Sequence, residues 1–166
     1  MSALVPQEQI EQTILVIRGH RVMLDADLAD LYGVETKAFN RAVTRNMERF
    51  PDDFMFRLTT KEYEDLRCHF GTSRWGGRRY LPYVFTEQGV AMLSSVLRSK
   101  RAIQVNIAIM RAFVQLREMI ASNKGLARRL NELEKKYDGQ FRIVFEAIRE
   151  LMAESPPKCR RIGFKT

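Results

Sequence analysis

The chain has 166 residues, a hydrophobic content of 45% and a formal net charge of +8, which suits one ordinary domain with an appendage. Its two cysteines, Cys68 and Cys159, lie far apart and lack the dense spacing of a secreted disulfide scaffold, so we expect a reducing cytoplasm. A signal-peptide pattern and an uncharged apolar run of roughly 18 residues are both missing, so neither secretion nor membrane insertion is expected.

The positive charge is distributed unevenly along the chain. Residues 1–36 carry six acidic and two basic side chains, and the basic excess lies after them. Lysine and arginine that displace counterions from nucleic acid gain an attraction that does not depend on sequence. Two interpretations of the charge remain open, a nucleic-acid partner or a small protein that is simply basic.

Residues 14–33 predict a β-hairpin followed by a helix. Two short β-branched runs flank a turn at 18–20, which is typical of a hairpin. From Asp25 the apolar residues Leu28 and Leu31 recur at helical spacing, and Gly33 is expected to end the helix.

The next helix completes the spacing of a helix-turn-helix unit. Ala29 stands where two helices would cross, Gly33 suits the tight turn, and Phe39 and Ala42 would lock the second helix, for which Thr36 is a suitable N-cap. This geometry leaves polar side chains exposed for base edges or phosphates. The predicted DNA contacts are Thr36, Lys37, Asn40, Arg41, Thr44 and Arg45. The alternative is a helix corner in a protein that never touches DNA.

A glycine-rich tip at 73–79 is the second basic feature. Before it, alternation over 53–58 predicts a half-buried strand, and Thr59 or Thr60 begins a short capped helix. The tip separates residues around Phe70 from 80–85 and predicts a β-ribbon. Its arginines are candidates for contacts with a minor groove or a phosphate backbone, and they are Arg74, Arg78 and Arg79. The alternative is a solvated loop with Trp75 tucked under it.

Two further helices are predicted beyond this tip. Thr86 is expected to cap a helix that runs to about Leu97, and a longer helix is expected from about 101 to 121. In the longer helix the residues assigned to the core are Ile103, Ile107, Met110, Phe113 or Val114, and Leu116 or Ile120.

The C-terminal part predicts a coiled coil. Residues 122–125 are interpreted as a linker, 126–153 as one helix, and 154–166 as a basic, flexible tail. Apolar residues alternate at spacings of 3 and 4 with one additional 4-residue step, which is a heptad seam with a stutter. The seam consists of Leu126, Leu130, Leu133, Tyr137, Phe141, Val144, Ile148 and Leu151. It predicts a homodimer or larger homo-oligomer, and the alternative is a helix that packs back on its own domain.

Catalysis is not expected. The two histidines, His20 and His69, have no ligand-like spacing, and the phosphate-binding glycine loops of nucleotide enzymes are absent. Carboxylate pairs such as Glu62 and Glu64 fall at helix starts, where solvated surface is usual. We therefore expect no enzyme activity, no metal and no cofactor.

Several sequence blocks resemble a known family when taken in order. They are LADLYGV at 28–34, NRAV at 40–43, RN at 45–46, RFP at 49–51, FMF at 54–56, LPYVFTEQGVAML at 81–93 and IMRAF at 109–113. Over about residues 8–120 the chain resembles the ORF-six N-terminal domain family of phages, prophages and bacteria, which is related to the KilA and Bro N-terminal domains. The resemblance implies DNA binding by a domain at 8–121, often in transcriptional regulators or antirepressors.

The sequence therefore predicts an α+β fold, with helix-turn-helix-like helices and short β-hairpins, followed by a C-terminal coiled-coil helix. The leading functional hypothesis is a homo-oligomeric regulator that binds double-stranded DNA in the cytoplasm of a bacterial or phage-infected cell. The alternative is a protein-binding module that sequesters a repressor or another regulator through its helical C-terminal part.

Overall fold

The structure, a computed structural model, describes residues 7–70, 81–136 and 142–153. The strands are β1 (Leu15–Ile17), β2 (His20–Leu24), β3 (Met55–Arg57), β4 (Tyr83–Thr86) and β5 (Arg142–Ile143). The helices are α1 (Gln7–Glu11), α2 (Asp25–Tyr32), α3 (Thr36–Thr44), α4 (Thr60–Phe70), α5 (Glu87–Leu93), α6 (Lys100–Ala121), α7 (Lys124–Lys136) and α8 (Val144–Ala153), with a 3-10 helix at Met47–Arg49. The α+β prediction is confirmed.

One antiparallel sheet with the strand order β3-β4-β2-β1-β5 organises the fold. The predicted hairpin is present as β1 and β2, and its turn places Arg18 and Gly19 at positive φ, as in the tight hairpin turns that match strand twist. β4 lies between β2 and β3, with Phe85 opposite both Met23 and Met55.

The sheet is covered on both faces because its side chains alternate with a period of two. Val16, Met23 and Phe85 enter the main core, formed with most of the helices. Their neighbours along the strands join a smaller cluster that includes Tyr63 and Leu66 of α4.

The helix starts show why the sequence folds this way locally. In α4 the Thr59 N–H donates to Glu62 Oε1 at 2.8 Å, and the Glu62 N–H donates back to Thr59 Oγ1 at 3.1 Å. This reciprocal pair is a capping box, as predicted. The predicted cap at Thr86 is also present, since its hydroxyl accepts from the Gly89 N–H at 3.3 Å.

The predicted β-ribbon is corrected in part. The residues up to Phe70 belong to α4, and the partners of β4 are β2 and β3. Among the described residues, the segment before the glycine-rich tip is therefore a helix and not a strand of a ribbon. The helical period of Tyr63 and Leu66 decides this, because it buries both against the sheet.

The long helix α6 spans the predicted region, but it faces the core differently from the prediction. Phe113 and Leu116 are buried, as one of the predicted alternatives has it, together with Ala102, Val105 and Ile109. The predicted core residues Ile103 and Ile107 are instead 51% and 47% exposed. Both sides of this helix carry apolar residues at helical spacing, so periodicity alone selects neither side.

The prediction of one helix over 126–153 with a free seam is wrong. β5 interrupts it and pairs with β1, where it satisfies backbone groups at a sheet edge. Only Ser122 and Asn123 separate α6 from α7, so the predicted linker is shorter. The residues Leu126, Leu130, Val144 and Ile148 are at most 4% exposed and belong to the main core.

The structure thus favours the alternative of a C-terminal part that packs back on its own domain. Leu151 is partly buried against the same core. Tyr137, Phe141, the Leu133 side chain and the tail at 154–166 lie outside the described residues. Within the described ranges, no helix is long and apolar enough to cross a membrane.

Candidate nucleic-acid interface

A tight turn joins α2 to α3. Gly33 adopts φ 77°, a left-handed conformation that glycine accepts without a steric penalty. The Val34 N–H donates to the Ala29 carbonyl at 3.0 Å and the Gly33 N–H to the Asp30 carbonyl at 3.1 Å. These two bonds form a Schellman motif, which ends α2 and turns the chain sharply into α3.

Helix α6 supports this turn from behind. The Arg101 guanidinium donates through Nε to the Leu31 carbonyl at 2.9 Å, and a Cβ atom at Gly33 would lie 2.9 Å from the same Nε. The buried Tyr32 hydroxyl donates to Asn106 Oδ1, and burial raises the pKa of this phenol well above its ordinary value. The end of α2 is therefore held firmly by α6.

The inner face of α3 is fixed by aromatic packing. Phe39 and Val43 are at most 1% exposed. The Phe39 ring lies edge-on to Phe85 at a centroid distance of 5.5 Å and stacks with Tyr32 at 6.1 Å. Thr36 is the first helical residue and Glu35 is the N-cap, which corrects the predicted cap by one residue.

The outer face of α3 carries the predicted contact residues in one stripe. Lys37, Arg41, Thr44 and Arg45 are exposed at spacings of 4, 3 and 1, and Thr36 is half-buried beside them. The stripe holds three cations and no carboxylate. Such an exposed basic helix behind a tight turn suits a groove of nucleic acid.

Asn40 departs from the predicted set because its side chain turns inward. Its Nδ2 donates to Asp25 Oδ2 at 3.0 Å, and the Tyr83 N–H donates to the same oxygen at 3.3 Å. Asp25 is fully buried. Asn40 therefore links α3 to the start of α2 and to β4, and its amide is already engaged within the protein.

Further cations lie at both ends of the exposed stripe. Arg49 follows α3 and donates through Nη1 to Ser95 Oγ at 3.4 Å, which brings it to the α5–α6 junction. Arg98 and Lys100 are exposed in that junction. Arg49 was not among the predicted contacts, although its spacing of four from Arg45 continues the basic stripe of α3. Arg74, Arg78, Arg79 and Trp75 lie outside the described residues.

The fold and this face define an α+β domain built around a helix-turn-helix unit. A family model described as the ORF6N domain matches residues 12–96, just over half of the chain. The chain therefore belongs to the ORF6N domain family, which confirms the resemblance. The match extends from β1 through α5 and includes both helices of the unit. Searches among curated proteins and among solved structures find no match.

Proposed function

We propose that this protein binds double-stranded DNA as a phage- or prophage-type regulator, with α3 entering the major groove. The observation that carries the proposal is the division of α3 into two faces. Phe39 and Val43 are buried on one side, and Lys37, Arg41 and Arg45 are exposed on the other. The family membership supports a regulatory, nucleic-acid-binding role.

The exposed stripe has the chemistry that major-groove recognition needs. Arg41 lies near its middle, where a guanidinium can donate two hydrogen bonds to guanine O6 and N7. Lys37 and Arg45 lie on either side and suit phosphates. The nine residues of α3 extend for about 13 Å, which covers about four base pairs.

Cations at the α5–α6 junction would position the domain on the backbone. Arg49 and Arg98 would meet phosphates beyond one end of the stripe, and Lys100 would do so near the α2–α3 turn. The bonds from Arg49 to Ser95 and from Arg101 to Leu31 support this arrangement, because they hold the junction beside both ends of α3. Arg74, Arg78 and Arg79 of the glycine-rich tip stay predicted phosphate contacts.

The proposed role is binding without catalysis, as a transcriptional regulator or antirepressor in the bacterial cytoplasm. A polyanionic partner explains the excess of positive charge that the sequence carries. The alternative of repressor capture through a C-terminal seam is not favoured, since the described seam residues Leu126, Leu130, Val144 and Ile148 are buried.

A mobility-shift assay over a salt series tests the proposal, using fragments of a bacterial genome that carries the gene. We expect binding that weakens steeply as salt rises. Arg41→Ala should lower affinity by about tenfold or more, equivalent to about 1.4 kcal/mol. Arg128→Ala is the matched control, since it removes one exposed arginine from α7. An equal loss of affinity in the two variants, or an affinity that does not depend on salt concentration, would contradict the proposal.

A further inference from the structure

Helix α6 presents a second apolar face, directed away from the core. Ile103, Ile107 and Val114 are 51%, 47% and 41% exposed. Met110 between them is half-buried, because it also packs against the edge of the main core. The opposite side of the helix is buried in the main core. A surface helix normally has one apolar side and one polar side, whereas both sides of α6 are apolar.

The four outer residues follow a heptad. Their spacings of 4, 3 and 4 place them on one stripe, which we call the α6 seam. Single exposed apolar side chains are common on protein surfaces, but a continuous stripe marks an interaction surface. The described part of the chain has six large exposed hydrophobic residues, and three of them, Ile103, Ile107 and Val114, belong to this seam. The other three, Val34, Met47 and Met152, lie outside α6.

We propose that the α6 seam binds the α6 seam of a second copy of this chain in antiparallel orientation. The seam is symmetric about its midpoint between 108 and 109. Antiparallel pairing therefore places Ile103 opposite the partner subunit's Val114, and Ile107 opposite the partner subunit's Met110. A two-fold contact of this kind requires a patch that is complementary to itself. Here the flexible Met110 side chain would pack on branched Ile107 at both of the central positions.

The charges at the ends of the seam favour this orientation. Lys100 is exposed at the start of α6 and Glu118 at its end, so antiparallel helices bring opposite charges together at both ends. The neighbouring Arg117 is already paired with Glu87 at 2.7 Å. Parallel helices would instead place Lys100 beside Lys100 and Arg111 beside Arg111.

DNA does not suit this surface, because its central residues are apolar and phosphates require cations. The seam nevertheless lies on the helix that supports the α2–α3 turn through Arg101 and Asn106. Pairing would hold two α3 helices at a fixed separation. The inference goes beyond the proposed function and does not rest on it, since self-association is measured without DNA.

Light scattering coupled to gel filtration tests the pairing on the full chain. At about 100 μM the wild type should elute with twice the chain mass, because a dimer with a Kd of about 10 μM would be mostly formed. Ile107→Lys should halve the measured mass. Met152→Lys, a matched change at an exposed residue of α8, should leave it unchanged. A wild type with a single chain mass, or an Ile107→Lys variant that keeps the doubled mass, would overturn the proposal.

Thermal melting shows whether the Ile107→Lys variant is folded, so that a halved mass can be assigned to lost pairing. Because Ile107 is half exposed, its lysine variant should melt within a few degrees of the wild type. If it does not fold, Ile107→Thr takes its place and should weaken dimerisation without a new charge. A doubled mass that survives Ile107→Thr together with Ile103→Thr would likewise overturn the proposal.

Disulfide trapping tests the orientation. In a Cys68→Ser and Cys159→Ser background, Ile103→Cys combined with Val114→Cys should form an intermolecular disulfide between positions 103 and 114. Ile103→Cys alone should give little, since antiparallel pairing separates the two copies of position 103. Efficient trapping by Ile103→Cys alone would overturn the antiparallel arrangement.

Discussion

The amide of Asn40 donates to the buried carboxylate of Asp25 across the two helices of the helix-turn-helix unit, at 3.0 Å. Asp25 begins α2 and also accepts the Tyr83 N–H of β4. A single carboxylate therefore joins both helices to the sheet. The side chain that holds α3 in place lies one residue from Arg41, the residue proposed to meet the bases.

Asn40→Ala should therefore destabilise the fold. It removes one hydrogen-bond donor from a fully buried carboxylate that keeps the Tyr83 N–H, and the loss of one such buried hydrogen bond costs about 1–3 kcal/mol. Urea denaturation measures this loss. Thr44→Ala, at an exposed position of the same helix, should change stability by less than about 0.5 kcal/mol. An Asn40→Ala variant with wild-type stability and impaired DNA binding would restore Asn40 to the recognition surface.

The helix-turn-helix unit was predictable from the sequence because its determinants are local. The positions of Gly33, Phe39 and Val43 fix a turn and one buried face, and helical spacing then places Lys37 and Arg41 outside. The inward position of Asn40 could not be predicted in this way, because its partner Asp25 is fifteen residues away in the sequence. Whether a side chain at the border of a helix face points inward or outward depends on such distant contacts.

The helices after residue 100 were harder to predict because their patterns are ambiguous. The apolar residues of α6 form two stripes, and the choice between Val105 and Ile107 for the core depends on the elements packed around them. The heptad pattern in the C-terminal part fits a coiled coil, and it fits equally well two shorter helices that pack against the core of their own domain. The two residues of β5 carry no recognisable strand signal, since pairing with β1 defines them.

Removing the flanking cations of α3 should change the salt dependence of DNA binding. Lys37→Ala and Arg45→Ala each remove one predicted phosphate contact, so each should reduce the slope of log affinity against log salt by about one unit. Affinity should fall similarly for all sequences. Fluorescence anisotropy at several salt concentrations measures the slope, with Arg129→Ala on α7 as the control for charge alone. Slopes equal to the wild type in both α3 variants would exclude these contacts.

Gly33→Ala should disturb the turn that directs α3. The left-handed φ of 77° disfavours any side chain, and the new Cβ would approach Arg101 Nε to 2.9 Å. We expect a loss of about 1–2 kcal/mol in unfolding free energy together with weaker DNA binding. Gly125→Ala in α7 is the control, since its Cβ meets nothing nearer than 3.4 Å and should leave stability unchanged or slightly higher. Equal effects at the two positions would contradict the assigned role of the turn.

The link between Arg18 and Glu62 predicts a pH-dependent contribution to stability. The guanidinium of Arg18 lies 2.7 Å from a Glu62 carboxylate oxygen, and the same carboxylate accepts the Thr59 N–H. Burial alone would raise the pKa of Glu62, but the hydrogen bonds from Arg18 and Thr59 outweigh it and lower this pKa below its ordinary value.

Because the pKa of Glu62 is lowered in the folded state, the stabilisation is complete above the ordinary pKa of a glutamate and is lost as pH falls through the folded-state pKa. Glu62→Gln should therefore cost about 1 kcal/mol near neutral pH, a magnitude typical of a cap combined with a surface ion pair. The difference from wild type should shrink in acid, below about pH 4. Urea denaturation between about pH 3 and 7 measures it. Glu64→Gln, which removes an exposed carboxylate from the same helix, is the control for the loss of one negative charge. If the stability difference between Glu62→Gln and the wild type stayed constant down to about pH 3, the shape of the Glu62 side chain and not its charge would support the start of α4.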